Sequence, residues 1–121
     1  MHSGEEAGNA RALVLPNGLR VLLASDPSSV KGAASMTVQV GYLTDPGALP
    51  GLAHFCEHML FLGTEPFPEE SSFKEFLSKH GGQRNAFTGM EATGYHFSVG
   101  HAQAREATPV CVLSLIHISE P

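Results

Sequence analysis

Tryptophan is absent from this sequence, and cysteine occurs only twice, as Cys56 and Cys111. Two cysteines are too few for a disulfide framework, and such scarcity is typical of a reducing compartment. The N-terminal residues lack both the basic cluster and the apolar core of a secretory signal. We therefore expect a cytoplasmic protein.

Basic residues are also few, since 7 lysines and arginines stand against 12 aspartates and glutamates and leave a formal net charge of −5. Nucleic acids and anionic membranes are bound by basic surfaces, so this balance argues against both. No apolar stretch reaches the ~18 residues that a membrane-spanning helix requires. The expected partners therefore include neither nucleic acid nor a membrane.

The composition, 42% hydrophobic in 121 residues, suits one small soluble domain. Asn17-Gly18 is a turn signal between two aliphatic segments and predicts a β-hairpin. The predicted strands are residues 11–15, 19–25, 34–42, 84–88 and 93–99, and the predicted helices are residues 52–62 and 69–80. This order predicts an α+β fold in which the helices pack on one face of a largely antiparallel sheet.

The two ends of the chain differ from the part between them. Residues 1–10 are polar and lack apolar periodicity, which predicts a disordered leader. Residues 11–109 are predicted to form the domain. Residues 110–121 form a tail of doubtful origin, because its last nine residues resemble the peptide produced when a sequencing adaptor is translated; a genuine strand is the alternative. We therefore give Cys111 and His117 no role.

The segment His54-Phe55-Cys56-Glu57-His58 carries the chemistry. On a helix that turns about 100° per residue, His54, Glu57 and His58 project from a single face. Two imidazoles four residues apart are spaced to bind one zinc ion, with Zn–N bonds of roughly 2.0–2.1 Å. Glu57 can then reach a water activated by the metal without binding the metal itself. This is the general-base arrangement of metal-assisted hydrolysis.

A purely structural role for these residues is the alternative. With 7 histidines and 10 glutamates in 121 residues, the H-x-x-E-H pattern is expected by chance only about 0.03 times. A carboxylate on an otherwise apolar helix would also carry a large desolvation cost without a charged partner, which zinc and two imidazoles provide. Both arguments favour the metal site.

Two segments resemble a known family. Residues 51–64, which contain the histidine pair, are similar to the zinc helix of the insulysin or pitrilysin family of inverted-motif zinc metallopeptidases, peptidase family M16. Residues 81–88, followed by Thr93-Gly94-Tyr95, resemble that family's edge strand beside the active site. The similarity runs from Arg11 to about Val99. It implies an incomplete N-terminal α/β domain of a larger enzyme.

The resemblance implies a zinc-dependent metalloendopeptidase of short peptides, with His54 and His58 as Zn²⁺ ligands and Glu57 as the catalytic base. A catalytic zinc ion takes three protein ligands, and the resemblance places the third, a glutamate on a later helix, beyond Pro121. We therefore expect the chain alone to bind zinc weakly and to hydrolyse little. Three other glutamates stay open as substitutes, although nothing in their spacing recommends them: Glu65, Glu91 and Glu106.

Substrate contacts also follow from the resemblance, which implies that Asn85, Ala86 and Phe87 bind substrate backbone and line a pocket, with Phe61 nearby. Independently, a strand that carries Asn85 could accept a peptide by β-augmentation. A role for Asn85 at a turn or strand end is the alternative. The expected partners are peptide substrates and the remaining homologous domains of the full-length enzyme.

A second class of function stays open, namely a non-catalytic peptide-binding or assembly domain of the same fold. The intact Glu57 favours the enzyme, because a structural role needs no base beside two histidines. Three other histidines have ordinary predicted positions at helix ends or on an outward strand face: His80, His96 and His101. Cys56 is expected to pack as a small apolar residue, with oxidation or alkylation that blocks the enzyme as the minor alternative.

Overall fold

Six strands and two helices make up the part of the chain that the computed structural model describes, which is residues 6–7, 9–100 and 102. The strands are β1 (Glu6–Ala7), β2 (Ala10–Val14), β3 (Arg20–Ala24), β4 (Lys31–Val38), β5 (Gln83–Thr88) and β6 (Thr93–Gly100). The helices are α1 (Leu52–Met59) and α2 (Ser72–Lys79), and a 3₁₀ turn occupies Tyr42–Thr44. This order confirms the predicted α+β fold.

The first sheet has the strand order β1-β2-β3 with antiparallel pairing throughout. The Asn17-Gly18 turn joins β2 to β3, with Gly18 at φ 85° and the Leu19 amide donating to Asn17 Oδ1 over 3.1 Å. The predicted hairpin is therefore confirmed. Strand β1 lies within the segment predicted as a disordered leader, where it pairs with backbone groups along the edge of β2.

The second sheet has the order β4-β6-β5, also antiparallel, so β6 is its central strand. Tyr95, Phe97 and Val99 of β6 are buried, and His96 between them is exposed, as the alternation predicted. Leu77 of α2 packs on Phe97 and Val99 and completes the small core. Both helices therefore lie against one face of this sheet.

Where one sheet was predicted, the described residues form two three-stranded sheets. The strands separate after β3, where Asp26 accepts hydrogen bonds from the amide and hydroxyl of Ser28. The Ser28 groups thus bond to a nearby side chain and not to the backbone of a neighbouring strand, which favours a turn. Ser29 then donates from its amide to the Asp26 carbonyl over 3.1 Å and closes the turn before β4.

A carboxylate seven residues before Leu52 anchors the start of α1. Asp45 Oδ2 accepts the Gly51 amide over 2.7 Å, and its Oδ1 accepts the Ala53 amide over 2.9 Å. These bonds satisfy amides that have no partner within the helix, and they place negative charge at the positive end of the helix dipole. The helix ends at Met59, earlier than predicted, because the chain tightens into i to i+3 hydrogen bonds.

Helix α2 begins at Ser72, three residues later than predicted. The amide and hydroxyl of Ser72 both donate to the Glu69 carbonyl, over 3.1 Å and 2.8 Å, and this local turn replaces the first predicted helical turn. At the other end, Gly81 adopts φ 67°, and the Gly82 amide returns to the Leu77 carbonyl over 2.7 Å. The predicted double-glycine stop is confirmed, and it directs the chain into β5.

Strand β4 begins at Lys31, three residues before the predicted start, and ends at Val38, four residues before the predicted end. The chain instead crosses the turn between β5 and β6, where the amides of Tyr42 and Leu43 donate to the carbonyls of Gly89 and Met90, each over 3.0 Å. Gly41 is buried at this crossing. An added Cβ at Gly41 would overlap both carbonyl oxygens.

We expect Gly41→Ala to lower the free energy of unfolding by about 2 kcal/mol, because backbone atoms on both sides must move apart. Gly47→Ala is the matched control, since an added Cβ there meets nothing within 4 Å, and its effect should stay within about 0.5 kcal/mol. Urea unfolding of the 121-residue chain, followed by circular dichroism, measures both. Equal unfolding midpoints for the two variants would show that the crossing is loosely packed.

Neither described helix is long and apolar enough to cross a membrane. The predicted tail 110–121 lies outside the described residues, as do several residues named above: His101, Glu106, Cys111 and His117.

Candidate metal and catalytic site

The two histidines of α1 stand side by side on its surface. Their Nε2 atoms are 3.2 Å apart, and their rings meet edge to face at 88° with centroids 4.7 Å apart. His54 and His58 are both exposed, whereas Glu57 between them is only 7% exposed. The helix therefore presents two imidazoles to solvent and turns one carboxylate toward the sheet.

The histidine pair fits one zinc ion. Two Zn–N bonds of about 2.05 Å that meet near the tetrahedral angle would hold their nitrogens about 3.3 Å apart. The Nε2 atoms of His54 and His58 already lie at nearly that separation. Within the described residues no group of three histidine, cysteine, aspartate or glutamate side chains could hold a metal. Neither Glu65 nor Glu91 therefore completes the site, and the pair supplies two ligands.

The carboxylate of Glu57 has one hydrogen-bond donor and one more distant polar neighbour. The hydroxyl of Thr88, at the end of β5, donates a hydrogen bond to Glu57 Oε2. His54 Nδ1 lies 3.4 Å from the same oxygen. A carboxylate near the Nδ1 side of a histidine favours Nε2 as the nitrogen that faces a metal. Glu57 therefore lies next to the histidine pair without pointing between its two Nε2 atoms.

A buried phenol, that of Tyr95, lies close to Cys56 and Glu57. Burial, and to a smaller extent the neighbouring Cys56 and Glu57, raises the pKa of Tyr95 to about 12. Tyr95 therefore remains neutral at any physiological pH. Its ring lies 6.1 Å from the ring of Phe61 and is tilted against it by 58°. Cys56 is a half-buried free thiol, in keeping with the packing role predicted for it.

A cleft of about 900 Å³ runs from Glu57 and His58 along β5. It is lined by residues of both helices, of the segment that follows α1 and of β5, including Phe61, Lys74, Arg84, Asn85 and Ala86. Strand β5 pairs with β6 on one side, and no described strand pairs with its other edge. The cleft therefore follows an edge where an extended chain could form backbone hydrogen bonds.

The structure separates the predicted substrate residues. Phe61, Asn85 and Ala86 line the cleft, but Phe87 is not among its lining residues. Phe87 projects from the opposite face of β5, where it is 54% exposed and its ring lies against Gly94 of β6. Alternation along the strand places the side chain of Phe87 opposite that of Ala86 and on the same face as that of Asn85. Asn85 therefore borders the cleft at the strand edge, although its side chain shares the exposed face of Phe87.

Three residues of the site were missed in the sequence: Asp45, Arg84 and Thr88. Arg84 lies over the rings of Phe61 and Phe73, with its guanidinium carbon 4.1 Å and 5.9 Å from their centroids. Arg84 and Thr88 are four residues apart on one strand, so alternation could have placed both on the face toward α1. Asp45 had only its position in a turn-rich loop as a signal.

Comparison with known proteins identifies the family. The sequence profile described as Insulinase (Peptidase family M16) matches residues 20–112. This chain belongs to that family. The predicted resemblance is therefore confirmed, and with it the membership of a family of zinc metallopeptidases.

Individual relatives agree. The insulin-degrading enzyme of Mus musculus is 52% identical over 99 residues, which is 82% of this chain and 10% of that protein. A Caenorhabditis elegans protein named as a zinc protease is 52% identical over 89 residues, 74% of this chain and 10% of that protein. The crystal structure of pitrilysin superimposes with a TM-score of 0.77 at 37% identity, covering 94% of this chain and 12% of pitrilysin. The chain thus spans about a tenth of the length of the relatives it matches.

Proposed function

We propose that this M16 chain supplies the metal-binding and proton-transferring segment of a zinc metalloendopeptidase that hydrolyses peptide bonds in short peptides. One observation carries the proposal: two imidazole Nε2 atoms lie 3.2 Å apart, next to the buried carboxylate of Glu57. A purely structural helix would gain nothing from two exposed histidines beside a carboxylate that is costly to bury.

The Nε2 atoms of His54 and His58 would hold the zinc ion. When bound, zinc polarises the scissile carbonyl and allows water to act as a nucleophile near neutral pH. The third ligand and the remaining homologous domains would come from the rest of a larger enzyme, because this chain covers 10% of the mouse relative. Within the described residues the histidine pair is the part of the metal site that this chain supplies.

Glu57 would act as the base. Its carboxylate would take a proton from the attacking water as a general base and would then deliver it to the leaving amine as a general acid. Burial keeps bulk water away from this carboxylate, and its place on the same helix as both imidazoles keeps it near the reacting groups. The intact carboxylate favours an enzyme over a non-catalytic peptide-binding domain.

The substrate would bind along the edge of β5 as an added strand. Ala86 would hold its backbone by main-chain hydrogen bonds, once its amide exchanges Asn85 Oδ1, to which it donates over 2.9 Å, for the peptide. Asn85 would contribute its side-chain amide, because neighbouring residues of a strand direct their backbone groups to opposite edges. Phe61 in the cleft wall would contact the side chains of the peptide. Backbone recognition places few demands on sequence, which suits an enzyme that cuts varied peptides. For Phe87, on the far face of the strand, a substrate contact would require a peptide that reaches around the edge.

A chimeric enzyme tests the proposal: residues 20–100 of this chain replace the matching segment of mouse insulin-degrading enzyme. We expect it to cleave a fluorogenic peptide, to lose this activity to 1,10-phenanthroline and to regain it with added Zn²⁺. The 121-residue chain alone, assayed beside it, should bind zinc weakly and cleave little. A soluble, zinc-loaded chimera that binds the peptide without cleaving it would instead support the peptide-binding domain.

A further inference from the structure

Thr88 joins the catalytic helix to the substrate strand. It is the last residue of β5 and lies opposite Thr93 in the pairing register with β6. Its side chain is half-buried, and its hydroxyl donates to Glu57 Oε2, 31 residues away in sequence. A β-branched side chain on a strand has few available χ1 angles, so this hydroxyl is held nearly rigid. It is therefore a well-positioned hydrogen-bond donor for the carboxylate of Glu57 on α1.

Glu57 needs a well-positioned donor because its side chain is long and flexible. Three rotatable bonds separate its carboxylate from the backbone of α1, and a buried side chain of this kind gives up much rotamer freedom. His54 Nδ1 approaches the same oxygen only to 3.4 Å, beyond the usual 2.7–3.2 Å range of a well-formed N–H···O bond. Among the described contacts, the hydrogen bond from Thr88 is thus the one that orients the carboxylate.

We propose that Thr88 is a positioning residue for the catalytic base. Its hydroxyl engages Oε2 of Glu57, which leaves Oε1 to exchange the proton with water and with the leaving amine. The inference rests on the proposed function, because it assigns Thr88 a role in the same reaction. It predicts an effect on the chemical step, with little effect on peptide or zinc binding.

A purely structural role for Thr88 makes opposite predictions for two variants. Thr88→Val keeps the shape and the β-propensity of the side chain and removes only the hydroxyl. Thr88→Ser keeps the hydroxyl and removes the methyl group. If Thr88 serves only to pack the strand end, valine is the mild change and serine the damaging one. If Thr88 positions Glu57, the order reverses.

The experiment uses the chimeric enzyme of the preceding section. We expect Thr88→Val to lower kcat by about 10- to 100-fold, the range typical of residues that orient a catalytic group, with KM within about threefold and zinc content unchanged. Thr88→Ser should keep kcat within about threefold of the parent. In a Glu57→Gln background, Thr88→Val should have no further effect on kcat, because the group it orients no longer acts as a base.

Thr93→Val is the matched control. Thr93 is the register partner of Thr88 and is buried where Thr88 is half-buried, but its hydroxyl donates to the Val40 carbonyl over 2.7 Å and not to Glu57. Its loss should lower the melting temperature and leave kcat within about twofold. If Thr88→Val is not obtained as soluble protein, Thr88→Ala replaces it.

Several results would overturn the assignment. A kcat for Thr88→Val equal to that of the parent, a rise in KM in place of a fall in kcat, loss of zinc, or equal damage from serine and valine would each remove Thr88 from the role of positioning Glu57. An inactive parent chimera would overturn the proposed function itself and the role of Thr88 with it. An active parent with an unaffected Thr88→Val variant would overturn only the latter.

Discussion

Replacement of Glu57 by glutamine in the chimeric enzyme should abolish peptide cleavage, with kcat lower by about 10³-fold or more and zinc still bound. Glutamine has nearly the same size and shape but cannot accept a proton at neutral pH. The buried site of Glu57, 7% exposed, admits few substitutes, and described neighbours provide no second carboxylate close to the histidine pair. No other described residue is therefore placed to take over the proton transfer.

Zinc should survive this change because the two Nε2 atoms are untouched. The glutamine oxygen can still face His54 Nδ1, where Glu57 Oε2 now lies at 3.4 Å, so zinc affinity should fall by about tenfold at most. Zinc content by atomic absorption and kcat by fluorogenic peptide assay measure the two quantities separately. Glu75→Gln on the exposed face of α2 is the control for loss of one negative charge. Activity retained by Glu57→Gln would end the proposal that Glu57 is the base.

Removal of either imidazole should have the second of the two largest effects, on zinc binding and on peptide cleavage. We expect His54→Gln or His58→Gln to weaken zinc binding by more than about 100-fold and to eliminate cleavage, because one ligand of the pair is then lost. The 3.2 Å between the two Nε2 atoms could also arise from a hydrogen bond between the rings. The histidine variants distinguish these two explanations. If the rings only formed a hydrogen bond with each other, removing one ring would lower the stability of the fold and leave the metal content unchanged.

Cobalt(II) substitution reads the same site directly. The parent chimera should show the visible absorption of a four-coordinate cobalt ion, and each histidine variant should lose it. His96→Gln removes an exposed imidazole of β6 and serves as the matched control. If His54→Gln and His58→Gln retain metal and spectrum as His96→Gln does, the pair does not form the metal site.

Local patterns were enough to place most secondary structure. The Asn17-Gly18 hairpin, the two helices and the alternation of β6 follow from turn chemistry and periodicity, and all are present. Element ends were less predictable. Strand β4 stops early because Gly41 must pass the turn between β5 and β6, a contact between residues about fifty positions apart. No window of local sequence contains that contact.

The candidate site was likewise predictable from the sequence only in part. The spacing of His54, Glu57 and His58 was visible because a helix repeats every 3.6 residues, so a five-residue pattern places its side chains on one face. The partners of these residues were not visible. Asp45, which caps α1, and Thr88, which bonds Glu57, come from a loop and from a strand end.

The sequence alone determined the chemistry of the helix: which residue types are present, at what spacing, and therefore which metal and which base they suit. Tertiary structure alone decided which carboxylate oxygen is engaged, which face of β5 lines the cleft, and that Phe87 lies on the other face. The physical reason is the range of the interactions. Helical periodicity acts within a turn or two of chain, whereas burial, strand pairing and a hydrogen bond across 31 residues exist only once the chain has folded.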